Sequence, residues 1–385
     1  MNSILPAPTS FQATTAAANQ MTAFDQWAKR PADQRFQTLA SLLDATTSRR
    51  MRSRGVTVSP AKMHATHEGN GLIINGGVTP SNPTHWSFGQ LSSWIGAPAA
   101  FLRDKLSDRP DLLTANLNHC VSKLPADRDL KWLLIEPTED APADQLATLQ
   151  AVTSPTYGRI WDADVVQAVM RLQEADPRWH NPPAWSPGKF GDKSAVVPGG
   201  LYASDRDVFA FMIDGGSILE DSSGQQLNRG FFVSNSEVGS ATFSLTTFLF
   251  RQCCGNHIIF GMQDAKTCTI RHTKGAPERF DSEVLPALQA YANSSVDDEQ
   301  AMLKKAGDYL LPEKREELDT LLAKAAKFTK RETESALLVA KAEEGDNRTL
   351  WQLVQGFTAY ARTFEHTDSR VDLERRAGKL MQLVK

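Results

Sequence analysis

Cysteine is scarce in this sequence, and its scarcity excludes one class of fold. The chain has four cysteines in 385 residues, and two of them, Cys253 and Cys254, are adjacent. Such a set does not form the disulfide framework of a small secreted protein. The N-terminus lacks both a basic start and a continuous apolar block, so it does not predict a secretory signal. We therefore expect a cytoplasmic protein.

Long apolar runs and an excess of one charge are also missing. The apolar clusters 133–135 and 248–250 are only three residues long, whereas a membrane span requires roughly 18 to 20 residues, so we expect no membrane partner. The 42 Lys and Arg residues stand against 45 Asp and Glu, which leaves a net charge of −3. A polyanion would have to bind at a local basic patch, because the protein as a whole does not attract it.

The familiar catalytic motifs are absent as well. The sequence contains no P-loop, GxGxxG, HExxH or GxSxG pattern, which disfavours nucleotide hydrolysis, dinucleotide binding and the common hydrolase chemistries. The sequence therefore predicts no cofactor.

What is present is the composition of a globular protein, with 41 % hydrophobic and 23 % charged residues. The length favours two domains. We predict an α+β fold, with an antiparallel sheet and packed helices in the middle of the chain and a helical bundle at its C-terminal end. The predicted divisions are a flexible arm over residues 1–20, an α+β core over residues 21–280 and a helical region over residues 281–385.

Hydrophobic periodicity predicts the individual elements. The first half has a helix ending in the loop SRRMRSRG, a hairpin around LIIN, two short helices in SFGQLSSWIGAPAAFLRDKL, a buried strand in KWLLIE, and helices in DQLATLQAV and WDADVVQAVMRLQEADP. A loop rich in Pro and Gly spans 178–200. Next come strands in VFAFMID, GFFVSNSEVG and HIIFG, with a helix in ATFSLTTFLFRQCC, and then the C-terminal helices, including TLWQLVQGFTAYARTF.

One basic run and one group of aromatic residues are compatible with nucleic-acid binding. The arginines concerned are Arg49, Arg50, Arg52 and Arg54 in the basic run, and Arg206 and Arg229 beside the strands. The aromatic residues are Phe209, Phe211, Phe231 and Phe232 on those strands. Bases can stack on aromatic rings while arginines hold the phosphates. Two structural alternatives stay open: a solvated helix end for the basic run, and packing of the phenylalanines in a core on one face of the sheet.

A polar constellation surrounds the twin cysteines. Its members are Asn235, Ser236 and Glu237 at the end of a predicted strand, and Arg251, Cys254, Asn256 and His257 at the end of the predicted helix that follows. If that helix folds back on the sheet, Cys254 or His257 meets Glu237 and forms a nucleophile and base, or an acid and base. The structural alternative is a helix C-cap at Asn256 and an inert, buried cysteine.

Two sets of residues have a spacing compatible with a metal site. Cys254, His257, Cys268 and His272 spell C-x2-H-x10-C-x3-H, which is within range of a zinc site. A hairpin of residues 257–261 with 267–272 would separate these ligands, so we predict no zinc. The run SDRD at 204–207 is compatible either with a surface ion pair or with carboxylates that bind Mg²⁺.

Several runs resemble the phage and plasmid family DUF932. They are LQAVTSPTYGRIWDADVV, SDRDVFAFMID, GFFVSNSEVGSATFSLTTFLFRQCCGNHIIFG and LWQLVQGFTAYAR, and the resemblance covers about residues 85–385. It implies residence on phages, prophages or conjugative plasmids, where genes for DNA replication, recombination and anti-host measures predominate. It implies no catalytic residue.

Three functional hypotheses follow. The first is a non-enzymatic accessory of DNA metabolism on a mobile element, which binds single-stranded DNA. The second is an enzyme that uses Glu237, Cys254 and His257. The third is an interaction protein that binds a host or phage protein and inhibits a host defence factor.

Overall fold

The computed structural model describes residues 34–69, 71–181, 200–251, 256–258, 268–345, 348–361, 363 and 367–384. The arm predicted over residues 1–20 and most of the loop predicted over 178–200 lie outside these residues. Within them the chain forms helices packed around two β-sheets, which confirms the predicted α+β class. None of the helices described is long and apolar enough to cross a membrane.

The helices are α1 (Leu39–Arg52), α2 (His85–Trp94), α3 (Ala99–Lys105), α4 (Pro110–Val121), α5 (Asp162–Ala175), α6 (Ala276–Asn293), α7 (Asp297–Asp308), α8 (Arg315–Ala326), α9 (Lys330–Glu344), α10 (Leu350–Ala361) and α11 (Thr367–Leu380). The strands are β1 (Ser53–Val58), β2 (His64–Glu68), β3 (Gly71–Asn75), β4 (Ser81–Pro83), β5 (Leu130–Ile135), β6 (Ala147–Thr153), β7 (Trp179–His180), β8 (Leu201–Ala203), β9 (Val208–Glu220), β10 (Gln226–Asn235), β11 (Phe243–Arg251), β12 (Asn256–Ile258) and β13 (Cys268–Ile270).

The first sheet has the order β1-β5-β6-β4-β3-β2 and is antiparallel except between β4 and β6. The predicted hairpin around LIIN is the β2–β3 pair, and the predicted strand in KWLLIE is β5. Helices α2, α3 and α4 pack against this sheet around Trp132 and Phe88, which are fully buried. This half of the molecule therefore has a hydrophobic core of its own.

The second sheet is built on the antiparallel meander β9–β10–β11. Side chains alternate between its faces, so the neighbours Phe231 and Phe232 enter different hydrophobic clusters. Phe231 packs with residues of α1, α5 and α6, whereas Phe232 joins Phe211 and Phe248 in an aromatic cluster. Both faces are therefore buried, and the expectation that only one face is core is wrong.

The C-terminal helices share a core with the far end of the second sheet. Leu219 and Leu227, at the tip of the β9–β10 hairpin, pack among residues of α7, α8, α10 and α11. The indole of Trp351 on α10 donates a hydrogen bond of 2.9 Å to Asp221 in the hairpin turn. Helix α6 packs on the second sheet instead, so the boundary predicted after residue 280 falls inside a helix of the α+β core.

Two predicted helices are strands. The segment DQLATLQAV contributes β6, and ATFSLTTFLFRQCC contributes β11. Both strands lie between two other strands, and their residues are buried on both sides of the sheet. A strand buried on both faces lacks the alternation of polar and apolar residues that identifies strands, and pairing within the sheet overrides local helix propensity.

The hairpin predicted between residues 257–261 and 267–272 is also absent from the described residues. Strands β12 and β13 each pair with β11, with His257 opposite Phe250 and Cys268 opposite Leu245. Five residues of extended strand span about 16 Å. The backbones of His257 and Cys268 are therefore far apart along β11.

Candidate nucleic-acid interface

The turn between β10 and β11, residues 236–240, lies where the two sheets meet and organises the site. Its main chain accepts hydrogen bonds from four side chains of the surrounding elements: Tyr157 Oη to the Ser236 carbonyl at 3.0 Å, Arg159 Nε to the Glu237 carbonyl at 2.8 Å, and Trp86 Nε1 and Gln90 Nε2 to the Val238 carbonyl at 3.1 Å and 2.7 Å. Gly239 has a φ of 80°, a conformation that glycine adopts without strain. The 236–240 turn thus holds aromatic and cationic side chains at fixed positions.

The side chain of Glu237 points inward and meets the first turn of α5. Its Oε1 accepts a hydrogen bond of 2.8 Å from the backbone N–H of Asp162. The N-cap residue Trp161 supplies no side-chain cap. A carboxylate at a helix N-terminus interacts favourably with the helix dipole, so Glu237 serves as the missing cap from another element.

Asn235 and Asp162 complete this buried cluster. Asn235 Nδ2 donates to Asp162 Oδ1 at 2.8 Å and to the Ile160 carbonyl at 2.9 Å. Burial and the nearby negative charge of Glu237 raise the pKa of Asp162 well above its usual range, although the positive charge of Arg49 acts in the opposite direction. Asn235 and Glu237 therefore lie together as predicted, and Asp162 is a partner that the sequence did not indicate.

Outside this cluster, arginines and aromatic rings form one surface. The guanidinium carbon of Arg159 lies 5.4 Å from the ring centroid of Trp161 and 5.6 Å from that of Tyr157. The guanidinium carbon of Arg50, a residue of α1, lies 5.3 Å from the ring centroid of Trp161. That of Arg206 lies 6.0 Å from the ring centroid of Trp86. We call this surface the arginine–tryptophan face; its members are Arg50, Trp86, Tyr157, Arg159, Trp161 and Arg206.

The two tryptophans belong to one continuous patch. Both pack against the small cluster of Leu133, Ala151 and Val238, and both are half-buried. Arg206 joins the patch through its main-chain carbonyl, which accepts a hydrogen bond of 3.2 Å from Ser240 Oγ. The face therefore presents partly accessible indole rings beside guanidinium groups.

The predicted arginines of the basic run separate into different environments. Arg50 lies on the arginine–tryptophan face and forms an ion pair of 2.5 Å with Asp164. Arg52 and Arg54 reach the end of β5, where Arg52 donates to the Glu136 carbonyl and Arg54 pairs with the Glu136 carboxylate at 2.9 Å. The loop predicted here is wrong, because β1 begins directly after α1.

Two of the predicted arginines are not accessible to a ligand. Arg49 is buried and donates to the Ser204 carbonyl. Arg229 is buried against α6 and α7, where it donates to the carbonyls of Tyr291 and Ser294, each at 2.9 Å, and lies 3.3 Å from Glu299. The prediction that they contact phosphates is therefore wrong, because each guanidinium group donates its hydrogen bonds inside the protein.

The prediction that bases stack on the phenylalanines of the strands is wrong for the same reason, which is burial. Phe211, Phe231 and Phe232 are buried in hydrophobic clusters, and Phe209 is half-buried against one of them. The tryptophans of the face were missed by sequence reasoning. A local signal for Trp161 exists in the sequence. Arg159 and Trp161 flank Ile160 directly before a helix, so both side chains belong to the same loop.

The two halves of the polar constellation do not converge. In the register of β10 with β11, Arg251 lies opposite Leu227, eight residues before Asn235, and Asn256 lies opposite Arg251. Eight residues of strand span about 26 Å. The expected meeting of Glu237 with His257 is therefore wrong, because the connecting segment is a strand running away from Glu237. Cys254 lies outside the described residues.

The predicted magnesium alternative is not supported by the geometry of SDRD. Asp207 is buried and accepts a hydrogen bond of 2.8 Å from Ser204 Oγ, whereas Asp205 is half-buried and lies 3.9 Å from Arg206. Across the part of the chain that the structure describes, no three His, Cys, Asp or Glu side chains are grouped so that they could hold a metal ion.

Comparisons of the chain with protein-family models, with curated proteins and with solved structures found no match. The resemblance to DUF932 therefore stays a prediction from the sequence.

Proposed function

We propose that this protein binds single-stranded DNA on the arginine–tryptophan face and serves a mobile element as a non-enzymatic accessory of DNA metabolism. The observation that carries the proposal is the combination of two half-buried indole rings with the guanidinium groups of Arg50 and Arg206 beside them, while the largely buried Arg159 holds the Trp161 ring against the 236–240 turn. The phage and plasmid setting comes from the resemblance of the sequence to DUF932. A location in the host cytoplasm belongs to the same proposal.

The chemistry of this face suits a strand with unpaired bases. Stacking of a base on an aromatic ring contributes about 1–3 kcal/mol, and it tolerates any base because every base has a π-face. The bases of a duplex are stacked on each other and are not available to Trp86 or Trp161. The face thus favours single strands and little sequence preference.

The carboxylates beside the arginines do not prevent phosphate binding. The pair of Arg50 with Asp164 is formed by side chains that are each 42 % exposed, and an exposed ion pair contributes only about 0–1 kcal/mol. Arg206 is held even more loosely, with 3.9 Å between its Nε and Asp205. Phosphate oxygens can therefore replace these carboxylates at small cost, and binding should weaken steeply as salt rises.

The test is fluorescence anisotropy of labelled oligothymidine at low salt, titrated with the full chain. We expect binding at micromolar protein, competition by unlabelled single strands and much weaker competition by duplex DNA. Replacing Trp86 by Ala should weaken binding by about tenfold, which corresponds to the loss of one stacked base.

Trp94 provides a matched control for Trp86. It lies on the same helix and also has a cation over its ring, with Arg128 at 4.9 Å, but it is not part of the face. Trp94→Ala should leave binding unchanged. For the charges, Arg50→Ala and Arg206→Ala should each reduce the salt dependence, whereas Arg279→Ala, which breaks an exposed pair with Glu283, should not. Equal losses in Trp86→Ala and Trp94→Ala would contradict the proposal.

A further inference from the structure

The side-chain amide of Gln90 connects main-chain groups of the two sheets. Its Nε2 donates a hydrogen bond of 2.7 Å to the Val238 carbonyl in the 236–240 turn, and its Oε1 accepts one of 2.9 Å from the backbone N–H of Val152 on β6. The orientation of the amide follows from these partners, because a carbonyl only accepts and a backbone N–H only donates. Gln90 therefore joins a strand of the first sheet to a turn of the second.

Strand β6 is open to this contact because its neighbour β4 is short. The parallel pairing of β4 with β6 ends where Pro83 lies opposite Leu149, and the chain then enters α2. Val152 is buried and lies three residues further along β6, where β4 no longer supplies a backbone acceptor. A buried N–H without an acceptor costs free energy. Gln90 supplies the oxygen that a longer strand would have supplied.

The same Val238 carbonyl also accepts a hydrogen bond from the indole of Trp86. Trp86 Nε1 donates to it at 3.1 Å, and Trp86 and Gln90 lie four residues apart on α2, which places them on the same side of the helix. A carbonyl oxygen has two lone pairs, so these two side chains use both. The edge of the indole is thus fixed by an acceptor that Gln90 holds in place.

We propose that Gln90 is a positioning residue of the arginine–tryptophan face, which fixes the indole of Trp86 for stacking by holding the Val238 carbonyl against β6. The inference rests on the proposed function, because it concerns a ring that stacks on a base of the bound strand. Gln90 acts through Trp86 and not on the strand itself. A ring that is fixed before binding loses less side-chain entropy when a base stacks on it, so the loss of Gln90 should weaken binding.

The test is a double-mutant cycle, measured by fluorescence anisotropy of labelled oligothymidine at low salt. Gln90→Met removes both hydrogen bonds of the amide, and we expect it to weaken binding about threefold, the lower end of what one hydrogen bond contributes. In a chain that already carries Trp86→Ala, the same substitution should have no further effect, because a residue that acts through Trp86 is coupled to it. Equal losses in the two backgrounds would overturn the proposal.

Gln90→Glu separates the two hydrogen bonds and keeps the proposal testable if Gln90→Met does not fold. At pH 8 the introduced carboxylate still accepts from the Val152 N–H but cannot donate to the Val238 carbonyl. We expect the same loss of affinity and, in the free protein, faster solvent exchange of the Trp86 indole N–H. NMR measures this exchange, and the absence of the signal in Trp86→Ala assigns it. An unchanged exchange rate would overturn the positioning role.

Asn118 provides a matched control. Its amide joins α4 to the first sheet in the same way, with Nδ2 donating to the Ala65 carbonyl at 2.8 Å and Oδ1 accepting from the Ala65 N–H at 2.7 Å, but Ala65 lies on the edge strand β2. Asn118→Leu should lower the free energy of unfolding and leave both the oligothymidine affinity and the Trp86 indole exchange unchanged.

The outcomes distinguish the two proposals. If Asn118→Leu weakened binding as much as Gln90→Met, the loss would reflect general destabilisation, and the positioning role would be overturned while strand binding stands. If the wild-type chain bound no oligothymidine, the proposed function would be overturned, and the role of Gln90 in stacking with it.

Discussion

At the scale of single residues, the buried carboxylates explain how one turn can position an interface. Glu237 contributes its carbonyl to Arg159 and its carboxylate to the start of α5. Two further polar atoms of this cluster, Glu237 Oε2 and Asn235 Oδ1, are buried without a hydrogen-bond partner. Such atoms carry a desolvation cost, which the hydrogen bonds of Glu237 and Asn235 to the start of α5 must offset.

The replacement of Glu237 by Gln tests the electrostatics of this cluster. The pKa of Asp162 is raised in the folded protein, so below that pKa the folded state holds a proton that the unfolded state has released. The free energy of unfolding therefore falls as pH rises through this window, from the unfolded pKa to the raised folded one. Glu237→Gln removes the negative charge that contributes to the shift and should make this loss smaller.

Urea denaturation at pH 5 and pH 8 measures the effect. We expect the loss of unfolding free energy between pH 5 and pH 8 to be smaller in Glu237→Gln than in the wild type, because the pKa of Asp162 is raised less when the negative charge of Glu237 is gone. At pH 5 the variant should be less stable than the wild type by about 0.5 kcal/mol, because a neutral amide interacts less with the helix dipole. A constant offset between the two proteins at both pH values would contradict this account.

At the scale of elements, the central strand β10 is packed without spare volume at one position. A Cβ added to Gly230 would lie 2.5 Å from the ring of Phe248 and 2.8 Å from the Met212 carbonyl oxygen. The carbonyl belongs to the neighbouring strand and cannot move independently of it. Glycine is therefore required at this position for packing, although its backbone is ordinary extended strand.

Gly230→Ala should lower the free energy of unfolding by about 1–3 kcal/mol, because it overpacks a buried site. Gly89→Ala is the matched control: Gly89 lies within α2 and an added Cβ meets no atom within 4 Å. That substitution should stabilise the protein by about 0.5–1 kcal/mol through helix propensity. Urea denaturation of the two variants should thus give changes of opposite sign. Two changes of the same sign would contradict the packing described for β10.

The elements also illustrate what sequence reasoning can reach. Helix α5 and strand β5 were predicted because one has a clear helical period and the other a short apolar block. Strands β6 and β11 were missed because burial on both faces removes the period of two. The predicted contact of Glu237 with His257 required a helix between them. Because that segment forms strand β11 instead, one wrongly predicted element makes the whole predicted site wrong.

The interface illustrates a second limit. Asn235 and Glu237 are neighbours in the chain, and their proximity was predictable. The contacts of Trp86, Arg159 and Arg206 with the 236–240 turn join segments more than thirty residues apart. Such contacts form where the two sheets meet, and no local sequence pattern predicts how two sheets pack against each other.

At the scale of the whole molecule, one buried arginine joins the second sheet to the helices that follow it. Arg229 on β10 donates to Tyr291 and Ser294 at the end of α6 and faces Glu299 on α7. Burial raises the pKa of Glu299, against the opposing charge of Arg229. The pair is nearly inaccessible to solvent, with exposed side-chain fractions of 1 % and 4 %, so each charge depends on the other.

Arg229→Met should therefore lower the free energy of unfolding by about 3–5 kcal/mol, because it leaves a buried carboxylate without its partner. Adding Glu299→Gln should recover part of this loss, since the uncompensated charge is then gone. Arg315→Met provides the comparison: it removes a half-exposed guanidinium that pairs with Asp319 and donates to the Lys330 carbonyl. Because this guanidinium is partly solvated, the substitution should cost only about 1 kcal/mol, which separates the effect of burial from that of charge pairing. If the single and double variants at Arg229 and Glu299 were equally unstable, the loss would come from the hydrogen bonds to α6, and the ion pair would not be what couples sheet and helices.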